Sequence, residues 1–114
     1  MVLALATTDV IHNNKYLISG GSDYMIAAYL ISQSGAQRIW KEENAHDGAI
    51  TTICVGHGES SKLLYSGDQQ GKIRVWNILT GENMGELTIH NARITAMAVS
   101  LDGRYVWIRL LAFL

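Results

Sequence analysis

Leu64-Tyr65-Ser66-Gly67-Asp68-Gln69-Gln70-Gly71-Lys72-Ile73-Arg74-Val75-Trp76-Asn77 is the stretch that decides the fold. Two short runs rich in Leu, Tyr, Ile, Val and Trp flank a turn of Gly, Asp and Gln. In an extended chain Ile73 and Val75 fall on one face, and Arg74 and Trp76 on the other. Short runs of β-branched and aromatic residues bounded by turn formers read as paired strands.

Outward from this stretch, the chain repeats itself. Lys15-Tyr16-Leu17-Ile18-Ser19-Gly20 matches Lys62-Leu63-Leu64-Tyr65-Ser66-Gly67, 47 residues on. His46-Asp47-Gly48-Ala49-Ile50-Thr51-Thr52-Ile53-Cys54-Val55 matches His90-Asn91-Ala92-Arg93-Ile94-Thr95-Ala96-Met97-Ala98-Val99, 44 residues on. A third unit starts again at Arg104-Tyr105-Val106-Trp107. The loops between units differ in length, as expected of stacked repeats on a constant frame. Strands are predicted near 2–7, 15–19, 25–31, 37–41, 49–55, 62–66, 72–78, 84–89, 93–99 and 104–110. No stretch sustains a helical period, which argues against a βαβ arrangement.

These residues resemble the WD-repeat β-propeller family. Leu64 to Asn77 is similar to that family's Ser-Gly turn and the strand ending in Trp-Asp, with Asn77 for the Asp. His46 and His90 sit where the family's Gly-His histidine falls, with Ala45 and Ile89 replacing the Gly. Val99 to Tyr105 resembles its Ser-Pro-Asp-Gly turn, with Leu101 for Pro. The resemblance implies an all-β chain of consecutive four-stranded antiparallel propeller blades. With roughly 40–45 residues per repeat and 4–8 blades per ring, it implies an incomplete, open propeller. Residues 1–114 are then a single partial domain of about two and a half blades. Its units lie at approximately 1–45, 46–89 and 90–110, with a divergent apolar tail at 108–114. Ile108-Arg109 stands where the other units carry Ser-Gly, so the pattern is expected to stop near Trp107. The tail itself reads as a last strand or a short helix packed on the blade.

The resemblance also implies a network of His, strand Ser, turn Asp and strand Trp that pins each blade. The middle blade offers His46, Ser66 and Trp76, with Gln70 at the Asp position. Gln accepts a hydrogen bond without charge, so its bond to His is expected to be the weaker kind. The first blade offers Ser19, Asp23 and Tyr29, and the third His90. No blade is expected to hold the full set. The family's rim contacts, carried over, fall on Ser22, Asp47, Ala49, Gln69, Asn91 and Arg93, with Tyr24 in the same turn as Ser22. Arg93 and Tyr24 are the expected anchors, because Arg and Tyr are enriched at binding hot spots. Each of these residues taken singly is equally at home in a solvated loop.

Composition bounds the alternatives. Nine basic and ten acidic residues give a formal charge of −1, with no basic excess for nucleic acid. The apolar start at Met1–Ala6 and the tail are too short to span a membrane. The lone Cys54 allows no intrachain disulfide and points to a reducing compartment, the cytoplasm or alternatively the nucleus. His12, His46, His57, His90 and Cys54 show no paired metal-ligand spacing, and no metal or cofactor is expected. Glu42 and Glu43 are adjacent in a strand, point to opposite faces, and form no acid–base pair. Gly56 to Ser61 lacks the Gly-x-Ser-x-Gly elbow, and no glycine run opens a helix as a phosphate loop does. Trp76 reads as a packing residue. Trp40 reads either as a cover for apolar surface or as an interaction anchor.

The leading expectation is a non-enzymatic scaffold that binds protein partners. The alternatives are a non-catalytic propeller segment of a larger enzyme, or a truncated product without independent function. Open blade faces would favour self-association.

Overall fold

The computed structural model describes residues 2–8, 11, 14–21, 24–58, 61–89 and 92–112. Ten strands run through them: β1 (Val2–Thr7), β2 (Lys15–Gly21), β3 (Ile26–Ser32), β4 (Gly35–Glu42), β5 (Ile50–Val55), β6 (Leu63–Asp68), β7 (Lys72–Asn77), β8 (Asn83–Thr88), β9 (Ala92–Val99) and β10 (Val106–Ala112). They form two four-stranded sheets, β1-β2-β3-β4 and β5-β6-β7-β8, and a two-stranded sheet of β9 and β10. Every pairing is antiparallel between neighbours in sequence. The chain is therefore all-β, built as consecutive meander sheets that do not close into a ring.

Repetition extends to the register. Gly20 pairs with Ala4, Gly67 with Thr52, and Arg109 with Ala96. Beside each of these pairs the register shifts by one extra residue on the first strand of the sheet: Leu3, Thr51 and Thr95 in turn. Such a bulge bends and twists a strand locally. Its return at the same place in all three sheets identifies β1, β5 and β9 as one structural position. A second bulge recurs on the outer strands, at Ile39 of β4 and Met84 of β8.

Stacking follows from where the apolar faces lie. β5 packs against both β1 and β9. The buried core sits between the first two sheets. Ile18, Ile26 and Ala28 come from one side, and Ile50, Ile53, Val55, Leu64, Trp76 and Ile78 from the other. Burial falls off outward within the second sheet: β6 is largely buried, whereas every residue of β8 is exposed. Two glycines set how closely the sheets approach. A Cβ on Gly20 would lie 2.7 Å from Ile53 Cδ1 and 2.9 Å from Ile50 Cγ2. A Cβ on Gly67 would lie 2.6 Å from Ile94 Cγ2. Each Ser-Gly glycine is thus the seat into which the next sheet's first strand sets an isoleucine. Ile50 and Ile94 are fully buried there. Burying one such side chain is worth roughly 1.5–3 kcal/mol.

A cross-sheet clamp closes the outer edge. Trp40 on β4 donates its indole N–H to the Ile78 carbonyl at 2.6 Å. Its ring lies over Gly81, where φ is +77° and a Cβ would be 2.9 Å from the ring. Glycine is needed there for both the backbone angle and the approach. Trp40 is therefore a cover joining the first two sheets, the first of its two expected roles.

The third sheet differs. Ile108 through Ala112 stay paired with β9, in keeping with the strand expected near 104–110. Over its described residues, 108–112, the tail is a strand and not a helix. What ends near Trp107 is the side-chain pattern: Ile108 and Leu110 stand in the register of Ser66 and Asp68. Backbone pairing needs only an extended chain, so it outlasts the motif.

Candidate functional site

The buried network centres on His46, in the loop that enters β5. Its Nδ1 lies 2.8 Å from Asp68 Oδ2, and its Nε2 lies 2.6 Å from Ser66 Oγ. Trp76 Nε1 donates to the same Ser66 oxygen at 2.9 Å. The indole can only donate and the carboxylate can only accept. Trp76 therefore donates to Ser66, and His46 Nδ1 donates to Asp68. His46, Ser66, Asp68 and Trp76 are all buried. Among the described residues no buried side-chain nitrogen or oxygen lacks a partner.

Asp68 corrects the expected membership. The carboxylate comes from Asp68, two residues before Gln70, so the middle sheet holds a complete, charge-assisted set. Gln70 is exposed and contributes only its backbone N–H, which donates to Asp68 Oδ1 at 2.9 Å. The Lys72 N–H donates to that oxygen at the same distance. One carboxylate therefore ties the histidine to the β6–β7 turn. Burial pushes the Asp68 carboxyl up, but the His46 hydrogen bond, the Lys72 N–H, the His46 charge and the Gln70 N–H outweigh it. They hold the carboxyl below the usual aspartate range. The available signal was an Asp directly after Ser-Gly, at the last position of its strand. Bulged pairing at Thr51 brings this residue opposite Ile50, next to the histidine loop.

Among the described residues the other sheets do not repeat the set. Ser19 pairs with Ala27 and Tyr29 with Leu17, the registers of Ser66 with Arg74 and Trp76 with Leu64. Tyr29 therefore stands at the tryptophan position. Asp23 and His90 lie outside the described residues. In the third sheet the positions of Ser66 and Asp68 hold Ile108 and Leu110, neither of which can bond a histidine.

One end of the sheets gathers the expected rim residues. The Gln69 N–H donates to Ala49 O at 3.1 Å, which places the β6–β7 turn beside the loop entering β5. Asp47 is exposed and lies 3.6 Å from Lys72 Nζ. Gly48 packs so closely that a Cβ would be 3.1 Å from the Gln70 side chain and 3.4 Å from that of Gln69. Tyr24 closes the group from the first sheet, its carbonyl accepting the Ala45 N–H at 3.0 Å. It is exposed and holds φ at +66°, a left-handed angle that few side chains adopt. Arg93 is exposed and occupies in β9 the place that Ala49 holds before β5. Ser22 and Asn91 lie outside the described residues.

Arg74, which sequence reading left aside, donates to the Ala45 carbonyl and pairs with Glu86 at 3.1 Å. It therefore fixes the residue before His46. Cys54 is partly buried, and burial pushes its thiol up to about 12, which keeps it protonated and unreactive. Among the described residues no group of three His, Cys, Asp or Glu side chains is placed to hold a metal.

Comparison with known proteins adds two findings. Residues 38–77 match the family described as WD domain, G-beta repeat. Over 95 residues the chain is 26% identical to a Lissencephaly-1 homolog of Caenorhabditis briggsae. That match covers 83% of this chain and 23% of the relative, so the chain spans about a quarter of the relative's length.

Proposed function

We propose that this chain is a run of WD repeats and serves as a non-enzymatic module that binds a protein partner through the rim at Tyr24, Asp47, Gln69 and Arg93. The supporting observation is the joining of exposed rim residues to a rigid, buried bracket. His46 is held by Asp68 and Ser66, and Asp47 is the next residue in the chain. A preorganised loop loses less freedom on binding than a mobile one. The rim also carries the residue types that dominate contact energies, with Tyr24 and Arg93 exposed at the same end. Ser22 and Asn91 belong to the proposed rim by sequence. The chain's formal charge of −1 favours a protein surface over nucleic acid. A partly buried, protonated Cys54 suits a reducing compartment such as the cytoplasm.

The test is quantitative affinity capture with the chain, its Tyr24→Ala and Arg93→Ala variants, and a Gln37→Ala control on the exposed outer strand β4. Partners lost with the rim variants and kept with the control are the expected result. An unchanged partner set in both rim variants overturns the assignment.

A further inference from the structure

We infer that Asp47 is a modification site, where the folded chain converts to isoaspartate through an imide closed by the Gly48 nitrogen. Two aspartates precede a glycine, Asp47 and Asp102. A glycine in that place has no Cβ to shield its main-chain nitrogen. In the reaction that nitrogen attacks the aspartate Cγ. A C–N bond forms and a carboxyl C–O bond breaks. The oxygen leaves as water, carrying the carboxyl proton and the amide proton. Water then opens the five-membered imide at either carbonyl. Opening at the former main-chain carbonyl leaves the backbone running through the aspartate side chain. Water is the only other reactant, and nothing is oxidised or reduced.

The fold treats the two aspartates in opposite ways. At Asp102 both reacting groups are held. The Gly103 N–H donates to the Ser100 carbonyl at 2.9 Å. The carboxylate accepts the Ser100 hydroxyl at 2.6 Å and the Arg104 N–H at 3.1 Å. Those two bonds keep the Asp102 carboxyl below the usual aspartate range, away from the protonated form that loses water. At Asp47 neither group is held. The Gly48 N–H has no acceptor among the described residues. The Asp47 side chain is 78% exposed and meets Lys72 Nζ at 3.6 Å. So exposed and long an ion pair restrains a side chain little. The Asp47 carboxyl is thus free to swing over the Gly48 nitrogen. Conversion adds one methylene to the backbone between His46, held by Asp68 and Ser66, and Gly48, seated against Gln70. The loop that enters β5 must shift to take it up.

Ageing the wild-type chain at neutral pH, folded in buffer and unfolded in guanidinium chloride, tests this without any partner. Trypsin separates the two sites into the peptides 42–62 and 94–104. Electron-transfer fragmentation then counts isoaspartate in each. In guanidinium both sites are plain Asp-Gly steps, so their rate ratio gives the reference. In the folded chain the ratio of Asp47 to Asp102 should exceed that reference at least about tenfold, the rate factor of one charge-assisted hydrogen bond lost before reaction. Ser100→Ala frees the Asp102 carboxylate of the hydroxyl and should raise conversion at Asp102, with circular dichroism confirming that the strands remain. A folded ratio equal to the reference or below it overturns the inference. An Asp102 rate unchanged by Ser100→Ala overturns the assigned protection.

Discussion

Asp68 reaches His46 across 2.8 Å from a position two residues before the one that the repeat pattern assigns to the carboxylate. Its second oxygen takes the N–H groups of Gln70 and Lys72, so the residue that holds the histidine also shapes the turn behind it. Four buried side chains thereby act as one bracket from β7 to the loop that enters β5.

That division of labour separates two neighbouring residues in a stability measurement. Asp68→Ala strands His46 Nδ1 and two backbone donors, and should cost about 2–4 kcal/mol. Gln70→Ala removes an exposed side chain and should stay within about 0.5 kcal/mol. Urea unfolding of the two variants gives the comparison, and a larger loss for Gln70→Ala would return the bracket to that residue.

The same carboxylate sets an acid limit. Its folded pKa lies below its ordinary value, so the stabilisation is complete above the unfolded value of about 3.9. It is lost as pH falls through the folded value. The wild type should lose stability steeply below about pH 4, and the difference between wild type and Asp68→Asn should shrink over that window. Thermal melts from pH 7 to pH 3 read this out; a difference that grows on acidification contradicts the sign.

Glycine at the sheet seats carries a steric prediction. Gly67→Ala puts a methyl 2.6 Å from Ile94, and Gly20→Ala one 2.7 Å from Ile53. Each should cost about 1–3 kcal/mol by overpacking. Combining Gly67→Ala with Ile94→Ala should cost less than the sum of the two, because the clash is removed with its partner. A fully additive double mutant would show that the two residues do not meet.

Trp40 offers a spectroscopic reading of the clamp between the first two sheets. Trp40→Phe keeps the ring but loses the donor to Ile78 O, and should cost about 1 kcal/mol. Gly81→Ala forces a side chain against the indole at a positive φ and should cost more. Indole emission should shift to the red in Gly81→Ala as the ring lifts into water; an unchanged spectrum contradicts the contact.

Cys54 should be silent in the folded chain. With its thiol pushed up to about 12, almost no thiolate exists at pH 8. Alkylation should be slow in buffer and fast in denaturant. Equal rates in both would place the thiol in solvent.

Much of the fold was legible because strand period and turn residues recur together. Ile73-Arg74-Val75-Trp76 alternates, and all ten expected strands appear within a few residues of their places. Asp68 was not legible as the carboxylate, because the motif's spacing names position 70 and only the bulge at Thr51 reveals that Asp68 faces the histidine loop. The last strand was legible even though its motif fails. Ile108 and Arg109 break the side-chain motif, yet strand pairing makes no demand on side-chain chemistry, so β10 continues to Ala112. Trp40 was ambiguous because an indole on an outer strand suits both a cover and an anchor, and its partner Ile78 lies 38 residues away.

The central claim is that successive sheets repeat one joint, an isoleucine set into a glycine seat. Nuclear Overhauser contacts in the labelled chain test it most directly. The account predicts cross-peaks from Gly20 Hα to the methyls of Ile50 and Ile53, and from Gly67 Hα to those of Ile94. A folded, strand-rich chain in which either glycine shows no such contact would contradict it.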